Sequence, residues 1–434
     1  MRFGWIVPLT LAIACVALPS FVPVAVQIGG YSFRLYEPLL IASAVWALTL
    51  PHSKIRTARY SLPFIAVTIL ASLNGYFGGL ALPRVVSDTR QLAFFVLALV
   101  VTSRIIGTPV ERWCILSVRW VLWISAVMIL LSSAFGIELA GRSEVATLQY
   151  GSTEGATRLL TPATYLAVVT VCICIALITT GRVRLAAQWT WLVPALLIVI
   201  LAFSRNHLLA FGIAGAFALI AARSSRSVAS SLRAGVVVAC VLTALSFGLS
   251  NALYGLPGIG FVASQIDSYS SRVIDGLNPQ ELDRDGSVLF REEENYFMDK
   301  SIEEAPVAGN GYGFAYKPKY GEVGSFTREV APYYGHNFYL WTMVKSGVIG
   351  LLAFLWMVAL PLAQAMVRPG TSSRIAAASA GAGLLAVSFV APMPNGSPTA
   401  LLFGAVIGAV IALKPVRNGE SVHSSTGEIQ ATHI

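Results

Sequence analysis

Three side chains that could carry chemistry stand at the edges of apolar runs. His336 lies where a polar loop meets a long apolar run. Arg205 stands in a short polar break between two apolar runs, and Arg291 lies in the longest polar segment. An imidazole, with an ordinary pKa near 6.5, can accept a proton at neutral pH, and guanidinium groups bind phosphate through paired N–H donors. The combination predicts proton transfer beside a bound phosphate or diphosphate.

The residues after His336 predict how this histidine is held. If one helix runs through the segment, Gly347 lies three near-whole turns below His336, and Gly350 is only about 40° away around the axis. Small residues let a neighbouring helix approach closely within lipid. Gly347 and Gly350 are therefore predicted to fix the helix that carries the imidazole. Taken alone, the pattern also fits a histidine that merely caps a helix at the membrane interface.

The same segment carries a longer signature: His336, Asn337, nine residues, Gly347, two residues and Gly350. It resembles the O-antigen ligase and polymerase superfamily of bacterial membrane glycosyltransferases, whose signature is His, then Asn, Ser or Gln, nine residues, Gly, two residues and Gly. Every fixed position of that signature is matched. The resemblance implies that His336 is catalytic and that Asn337, Gly347 and Gly350 support the site.

The two arginines also fit patterns of that superfamily. Arg205 and Leu209 match an Arg, three residues, Leu pattern at an outer turn, and Arg291 opens a stretch that resembles an Arg, a short helix, a Pro and spaced glycines. The resemblance implies that Arg205 and Arg291 bind the substrate diphosphate. Two simpler interpretations stay open: an interfacial arginine for Arg205, and a surface ion pair with Glu292 to Glu294 for Arg291. The turn positions after the short helix are Pro306, Gly309, Gly311 and Gly313.

Composition defines the kind of protein that must position these residues. Of the 434 residues, 56% are hydrophobic and only 12% charged, and the mean hydropathy is +0.71. Such a chain is a polytopic membrane protein. The net charge of +9 is spread over short loops, which indicates membrane orientation and not a nucleic-acid partner. The five cysteines lie in or beside apolar segments, and their spacing predicts neither a disulfide nor a metal site.

The apolar runs predict an all-α fold, a polytopic bundle of about twelve transmembrane helices with one large extracytoplasmic loop. Prolines in the first run could break it. The predicted spans are 4–28, 36–50, 61–82, 91–107, 115–136, 162–180, 188–203, 207–222, 234–255, 337–362, 375–393 and 398–413.

Lysines and arginines in alternate loops predict the orientation of the bundle. One set of loops holds 15 of them and the opposite short loops hold six. Because cationic short loops stay in the cytoplasm, both termini are predicted to be cytoplasmic and the segment 256–336 extracytoplasmic. That segment carries 13 acidic and seven basic residues, with a helix predicted over 286–304 and glycine turns over 309–313. Residues 1–413 form the predicted membrane domain, and 414–434 a disordered cytoplasmic tail.

The resemblance implies the reaction. Members of the superfamily transfer a glycan from an undecaprenyl diphosphate carrier to an acceptor hydroxyl at the outer face of the bacterial inner membrane, in cell-surface polysaccharide biosynthesis. The acceptor is a lipid A core sugar or a protein hydroxyl in ligases, and another glycan repeat in polymerases. Inverting transfer without metal or cofactor is expected here. The main alternative is a flippase or exporter that moves the lipid-linked glycan intact.

Overall fold

The computed structural model describes residues 3–28, 31–50, 54–135, 137–140, 142–145, 157–181, 185–202, 204–223 and 286–413. These residues form thirteen α-helices and two short β-hairpins. The α-helices are α1 (Ile6–Cys15), α2 (Tyr36–Thr49), α3 (Lys54–Phe77), α4 (Leu82–Ile105), α5 (Pro109–Phe135), α6 (Ala163–Thr179), α7 (Trp189–Leu201), α8 (Asn206–Ala222), α9 (Gly286–Glu304), α10 (Phe326–Glu329), α11 (Phe338–Val367), α12 (Ser372–Val387) and α13 (Ser397–Ala412).

The prediction of an all-α chain is confirmed, and most predicted runs coincide with helices. Four helical stretches are long and apolar enough to cross a membrane by length and composition: Thr57–Phe77, Leu82–Ile105, Pro109–Ser133 and Phe338–Val367. Six shorter apolar helices accompany them within the described ranges. The helix predicted over 286–304 is confirmed as α9. The predicted span 234–255, the first part of the predicted loop and the tail 414–434 lie outside the described residues.

The first predicted span is wrong in its second half. Its helix ends at Cys15, and the chain continues as strand β1 (Ala25–Ile28) in an antiparallel hairpin with β2 (Tyr31–Arg34). Pro19 and Pro23 explain the change, because proline lacks the N–H that a helix interior requires. The second hairpin pairs β3 (Arg142–Val145) with β4 (Thr157–Leu160).

Helices α4 and α13 pack closely against each other through two glycines. A Cβ on Gly404 would overlap the carbonyl oxygen of Phe95, and one on Gly408 would overlap that of Leu99. The four-residue spacing of Gly404 and Gly408 is the small-residue pattern by which helices approach closely in lipid. Gly404 meets Phe95 and Gly408 meets Leu99, so residue numbers rise in the same direction along both helices. Helices α4 and α13 therefore run parallel.

Contacts between helix termini define two ends of the bundle. At one end, called here the site end, the start of α11 meets the end of α12, because Phe338 N donates to Ser388 O. The end of α3 and the start of α4 lie at the same end, where the loop after α9 contacts both. At the opposite end, the Tyr60 hydroxyl donates to Gln364, Arg374 to Val410 O, and Arg104 to Leu50 O.

Candidate functional site

His336 lies just outside helix α11, which begins two residues later at Phe338. Asn337 is the N-cap: its side-chain oxygen accepts hydrogen bonds from the N–H groups of Tyr339 and Leu340, at 3.1 and 3.3 Å. An N-cap residue of this kind satisfies backbone donors that the first helical turn leaves free. The expectation that His336 is part of the helix is therefore wrong. Asn337 fixes the start of α11, and His336 sits on the bend that leads into it.

The imidazole of His336 pairs with a buried carboxylate. Nδ1 of His336 lies 2.7 Å from Oε2 of Glu294, and the backbone N–H of His336 donates to the same oxygen at 3.3 Å. Glu294 is fully buried, whereas 23% of the His336 side chain is exposed. Since an ionised carboxylate can only accept, the contact assigns the ring proton to Nδ1. Nε2 then keeps its lone pair and can accept a proton.

Two aromatic rings hold the imidazole edge-on. The rings of Phe290 and Tyr334 lie 6.0 and 5.1 Å from that of His336, both nearly perpendicular to it. The second carboxylate oxygen of Glu294, Oε1, is buried with no hydrogen-bond partner in the described part of the chain. A buried acceptor left in this state costs free energy, and such groups concentrate at functional sites.

Helix α9 brings Arg291 to the same site. Arg291 precedes Glu294 by three residues, so the two side chains are neighbours on one helical face. The Arg291 side chain is half-buried. The structure therefore brings two of the three predicted residues, Arg291 and His336, together through Glu294.

The chain that leads into His336 is tied down on both sides. The Tyr316 hydroxyl donates to Tyr334 O, and Tyr316 N donates to Pro332 O. The indole of Trp341 donates to Tyr333 O at 2.8 Å. Burial raises the pKa of Tyr316 well above its ordinary value, so its hydroxyl remains a donor throughout the working pH range. The bend at His336 is thus a fixed feature.

Gly347 breaks helix α11 and does not serve as a helix contact. Its backbone has φ +64° and ψ −169°, which is incompatible with a helix and essentially restricted to glycine. The prediction that Gly347 and His336 share one face of a continuous helix is wrong for this reason. The break leaves backbone groups on both sides of Gly347 without helical partners.

The loop after α9 fills this break. Asn310 N donates to Val344 O at 2.8 Å, and Gly311 N to Lys345 O at 2.9 Å. In the other direction, Val348 N donates to Pro306 O at 2.9 Å. The segment 306–311, called here the wedge, therefore replaces the helical hydrogen bonds that Gly347 interrupts.

Glycines let the wedge pass so close to other backbones. Gly309, Gly311 and Gly313 all have positive φ, which confirms that these glycines serve as backbone turns. A Cβ on Gly309 would come within 2.5 Å of Gly347 N, and one on Gly311 within 2.5 Å of the Cα of Gly75 in α3. The wedge thus lies between α3 and α11 at backbone contact distance.

Gly350 has a local role. A Cβ there would overlap the Ser346 side chain one turn earlier, while the nearest atom of α3, on Val67, would be 3.7 Å away. Gly350 therefore makes room for Ser346, whose hydroxyl donates to Thr342 O at 3.0 Å beside the break. Gly350 thus makes its close contacts within α11 and not with a neighbouring helix.

Arg205 lies beside a different helix from His336. It immediately precedes α8, with a half-buried side chain. Helix α8 packs against α12, where a Cβ on Gly383 would come within 2.8 Å of Ala210 O. The end of α12 in turn contacts the start of α11, since the Tyr339 hydroxyl donates to Leu385 O. Arg205 and His336 thus lie just before two helices, α8 and α11, that both contact α12.

Glu294 is the functional candidate that sequence reasoning missed. The three consecutive glutamates after Arg291 look like a solvated run, but only Glu294 falls on the buried face of α9. That face follows helical spacing: Glu294, Met298 and Ser301 are buried, and Phe290 is half-buried. Glutamate is rarely fully buried unless paired, so an acidic residue at helical spacing from Phe290 and Met298 is the signal that the sequence offers.

A comparison of the chain with protein families confirms the resemblance. A family described as O-antigen ligase matches residues 190–355, the portion that contains Arg205, Arg291, His336 and both signature glycines. No curated protein sequence matches the chain. Residues 190–355 are thus similar to the O-antigen ligase family.

Proposed function

We propose that this protein transfers a glycan from an undecaprenyl diphosphate carrier to an acceptor hydroxyl at the outer face of the bacterial inner membrane. The observation that carries the proposal is the contact between His336 and the buried Glu294, with Arg291 on the same face of α9. Proton acceptance and phosphate binding are the two tasks that such a transfer requires. The family match supports the class of substrate.

His336 is the general base in this proposal. Nε2 accepts the proton of the acceptor hydroxyl, while Glu294 holds the proton on Nδ1 and stabilises the imidazolium that forms. General base catalysis of this kind contributes roughly 10²- to 10⁴-fold. A buried carboxylate at 2.7 Å also keeps the ring in one orientation, which a free imidazole in water lacks.

Arg205 and Arg291 bind the diphosphate. Guanidinium groups remain charged and offer a planar fork of donors, so they stabilise the negative charge that the leaving diphosphate gains. The acceptor oxygen forms a bond to the anomeric carbon, and the bond from that carbon to the diphosphate oxygen breaks. Direct attack from the opposite side inverts the anomeric configuration. Two guanidiniums supply the charge compensation, so the proposed step uses no metal.

Substitution of either arginine is expected to weaken use of the lipid-linked donor. We expect Arg291→Gln and Arg205→Gln each to lower kcat/KM for the donor by about 10- to 100-fold, because each loses charge-assisted hydrogen bonds of about 1.5–3 kcal/mol. Arg291→Lys and Arg205→Lys keep the positive charge but lose the paired N–H donors of the guanidinium, so they should recover only part of the lost kcat/KM. Transfer from a purified lipid-linked glycan in detergent gives the measurement.

Arg328→Gln is the matched control for these variants. Arg328 is exposed and donates to Gly321 O, so its loss removes one charge from the same polar segment and leaves Glu294 and His336, called here the dyad, unchanged. Wild-type kcat/KM in Arg291→Gln, or an equal decline in Arg328→Gln, would contradict a specific role in diphosphate binding.

The proposed orientation places the site end outside the cytoplasm and both termini inside. It is supported by buried arginines at the opposite end, Arg104 and Arg374, since cytoplasmic helix ends are rich in Lys and Arg. Single cysteines at Val323, which is 82% exposed, and at Ser421 test it in a background without the five native cysteines. An impermeant maleimide should label position 323 in right-side-out vesicles and position 421 in inverted ones. The reverse pattern would overturn the orientation.

The competing function is translocation of the lipid-linked glycan without bond breakage. His336 and Arg291 lie at the site end of the described bundle, and we infer the same position for Arg205. A site on one side of the membrane suits an enzyme. Reconstituted liposomes separate the two functions: flipping of a labelled donor without a transfer product would favour the transporter. The choice between ligation and polymerisation depends on whether lipid A core sugars or glycan repeat units accept the glycan in that assay.

A further inference from the structure

A buried ion pair joins α4 to α11 below the candidate site. Nζ of Lys345 lies 2.7 Å from Oδ2 of Asp88, and neither side chain is more than about a tenth exposed. Two charges inside an apolar helix bundle are costly, and such pairs are weak evidence for stability alone.

Both charges also bind the backbone of the segment that follows the wedge. Oδ2 of Asp88 accepts the N–H of Gly313 at 2.8 Å, and Nζ of Lys345 donates to Phe314 O at 2.6 Å. The pair thus clamps three parts of the chain: α4, the segment 313–314 and α11. A purely apolar replacement would leave both of these peptide groups buried without these partners.

The clamped segment lies on the connection between the two halves of the dyad. Toward the N-terminus it continues through the wedge into α9, which carries Arg291 and Glu294. Toward the C-terminus it reaches Tyr316, whose hydroxyl binds Tyr334 O two residues before His336. A shift of residues 313–314 would therefore move Glu294 and His336 relative to each other.

We propose that Asp88 and Lys345 are positioning residues that set the geometry of Glu294 and His336 by holding the loop in the break of α11. The kinetic consequence rests on the function proposed above, whereas the structural consequence does not. The clamp acts through backbone groups and touches neither substrate nor the imidazole. Its loss should lower turnover, and it should affect donor binding much less.

The test compares single and double removal of the charges. Asp88→Leu or Lys345→Met alone leaves one buried charge uncompensated and is expected to reduce the yield of folded protein. The double variant Asp88→Leu/Lys345→Met removes both charges and both hydrogen bonds to segment 313–314, and it should restore folded protein. The control is Arg84→Gln/Glu329→Gln, which removes a partly exposed ion pair at the same end of the bundle.

Hydrogen exchange measures the clamp without reference to activity. In the double variant we expect amide exchange at 311–316 and at 336–340 to accelerate at least tenfold, with no change in the control. Wild-type exchange in both segments would overturn the proposal. If exchange accelerates as expected but the wild-type protein transfers no glycan in any assay, the proposed function fails and the clamp stands.

Kinetics then test the coupling to the dyad. We expect kcat of the double variant to decline at least tenfold with a donor KM within twofold of wild type. Glu294→Gln should cost much less in the double variant than in the wild type, because residues that act through one geometry are not additive. If the effect of Glu294→Gln on kcat is the same in the double variant as in the wild type, or if a folded double variant keeps the wild-type kcat, the pair is structural only. Either result would overturn the positioning role.

Discussion

Replacing His336 with glutamine is expected to lower kcat for glycan transfer by about 10²- to 10⁴-fold, the usual contribution of a general base. Glutamine is polar and of similar reach, but it cannot accept a proton. The donor should still bind, since Arg205 and Arg291 are intact, so KM should change little. Single-turnover transfer from a labelled lipid-linked glycan, in variants shown to be folded, gives the rate.

The three glutamates of α9 provide the internal comparison for this prediction. Glu294→Gln removes the charge that holds the proton on Nδ1 and should also reduce kcat strongly, because the other tautomer of His336 becomes accessible. Glu292→Gln changes an exposed neighbour on the same helix and should leave kcat unchanged. Retention of wild-type turnover in His336→Gln would remove the imidazole from the chemistry, whatever the effect of Glu294→Gln.

Much of the helical architecture could be predicted from local sequence. Apolar runs of membrane length and charges confined to loops specify helices in any context, so the described helices coincide with most of the predicted runs. The helix over 286–304 was predicted from turn residues on either side of it. The predicted single span over 4–28 is wrong because Pro19 and Pro23 end the helix although the run remains hydrophobic.

The site itself depends on contacts between distant parts of the chain, which local patterns do not contain. The prediction that His336 and Gly347 share one helix requires a continuous helical backbone between them. The break is stable only because the wedge, more than 30 residues earlier, supplies the missing hydrogen bonds. Glu294 was overlooked for a related reason, since its burial depends on α11 and the loop covering one face of α9.

Close helix contact through small residues occurs between α4 and α13 and not at Gly347. Gly404 and Gly408 meet the backbone of α4 as the rule predicts, whereas Gly347 meets a loop. The two cases look alike in sequence, because each is a pair of glycines in an apolar run. Their surroundings differ. Gly404 and Gly408, four residues apart, lie on one face of a continuous helix, whereas the helix is broken at Gly347, three residues before Gly350.

Gly347→Ala is expected to have the largest structural effect of any single substitution at the site. Alanine at φ +64° and ψ −169° is strained by about 1–3 kcal/mol. In addition, its Cβ would overlap the carbonyl oxygen of Val307 in the wedge, a backbone atom that cannot rotate away. We expect the wedge to leave the break, transfer activity to fall below detection, and the unfolding temperature to drop by several degrees.

Gly79→Ala separates backbone strain from the overlap with the wedge. Gly79 also has positive φ, at +84°, but a Cβ there would meet no atom within 4 Å. This variant should lose stability through strain alone and keep its transfer activity. Thermal unfolding in detergent and the transfer assay, run on both variants, give the comparison. Gly347→Ala must expel the wedge, whereas Gly79→Ala leaves it in place. If the two variants are equally stable and equally active, the wedge is not what holds His336 and Glu294 together.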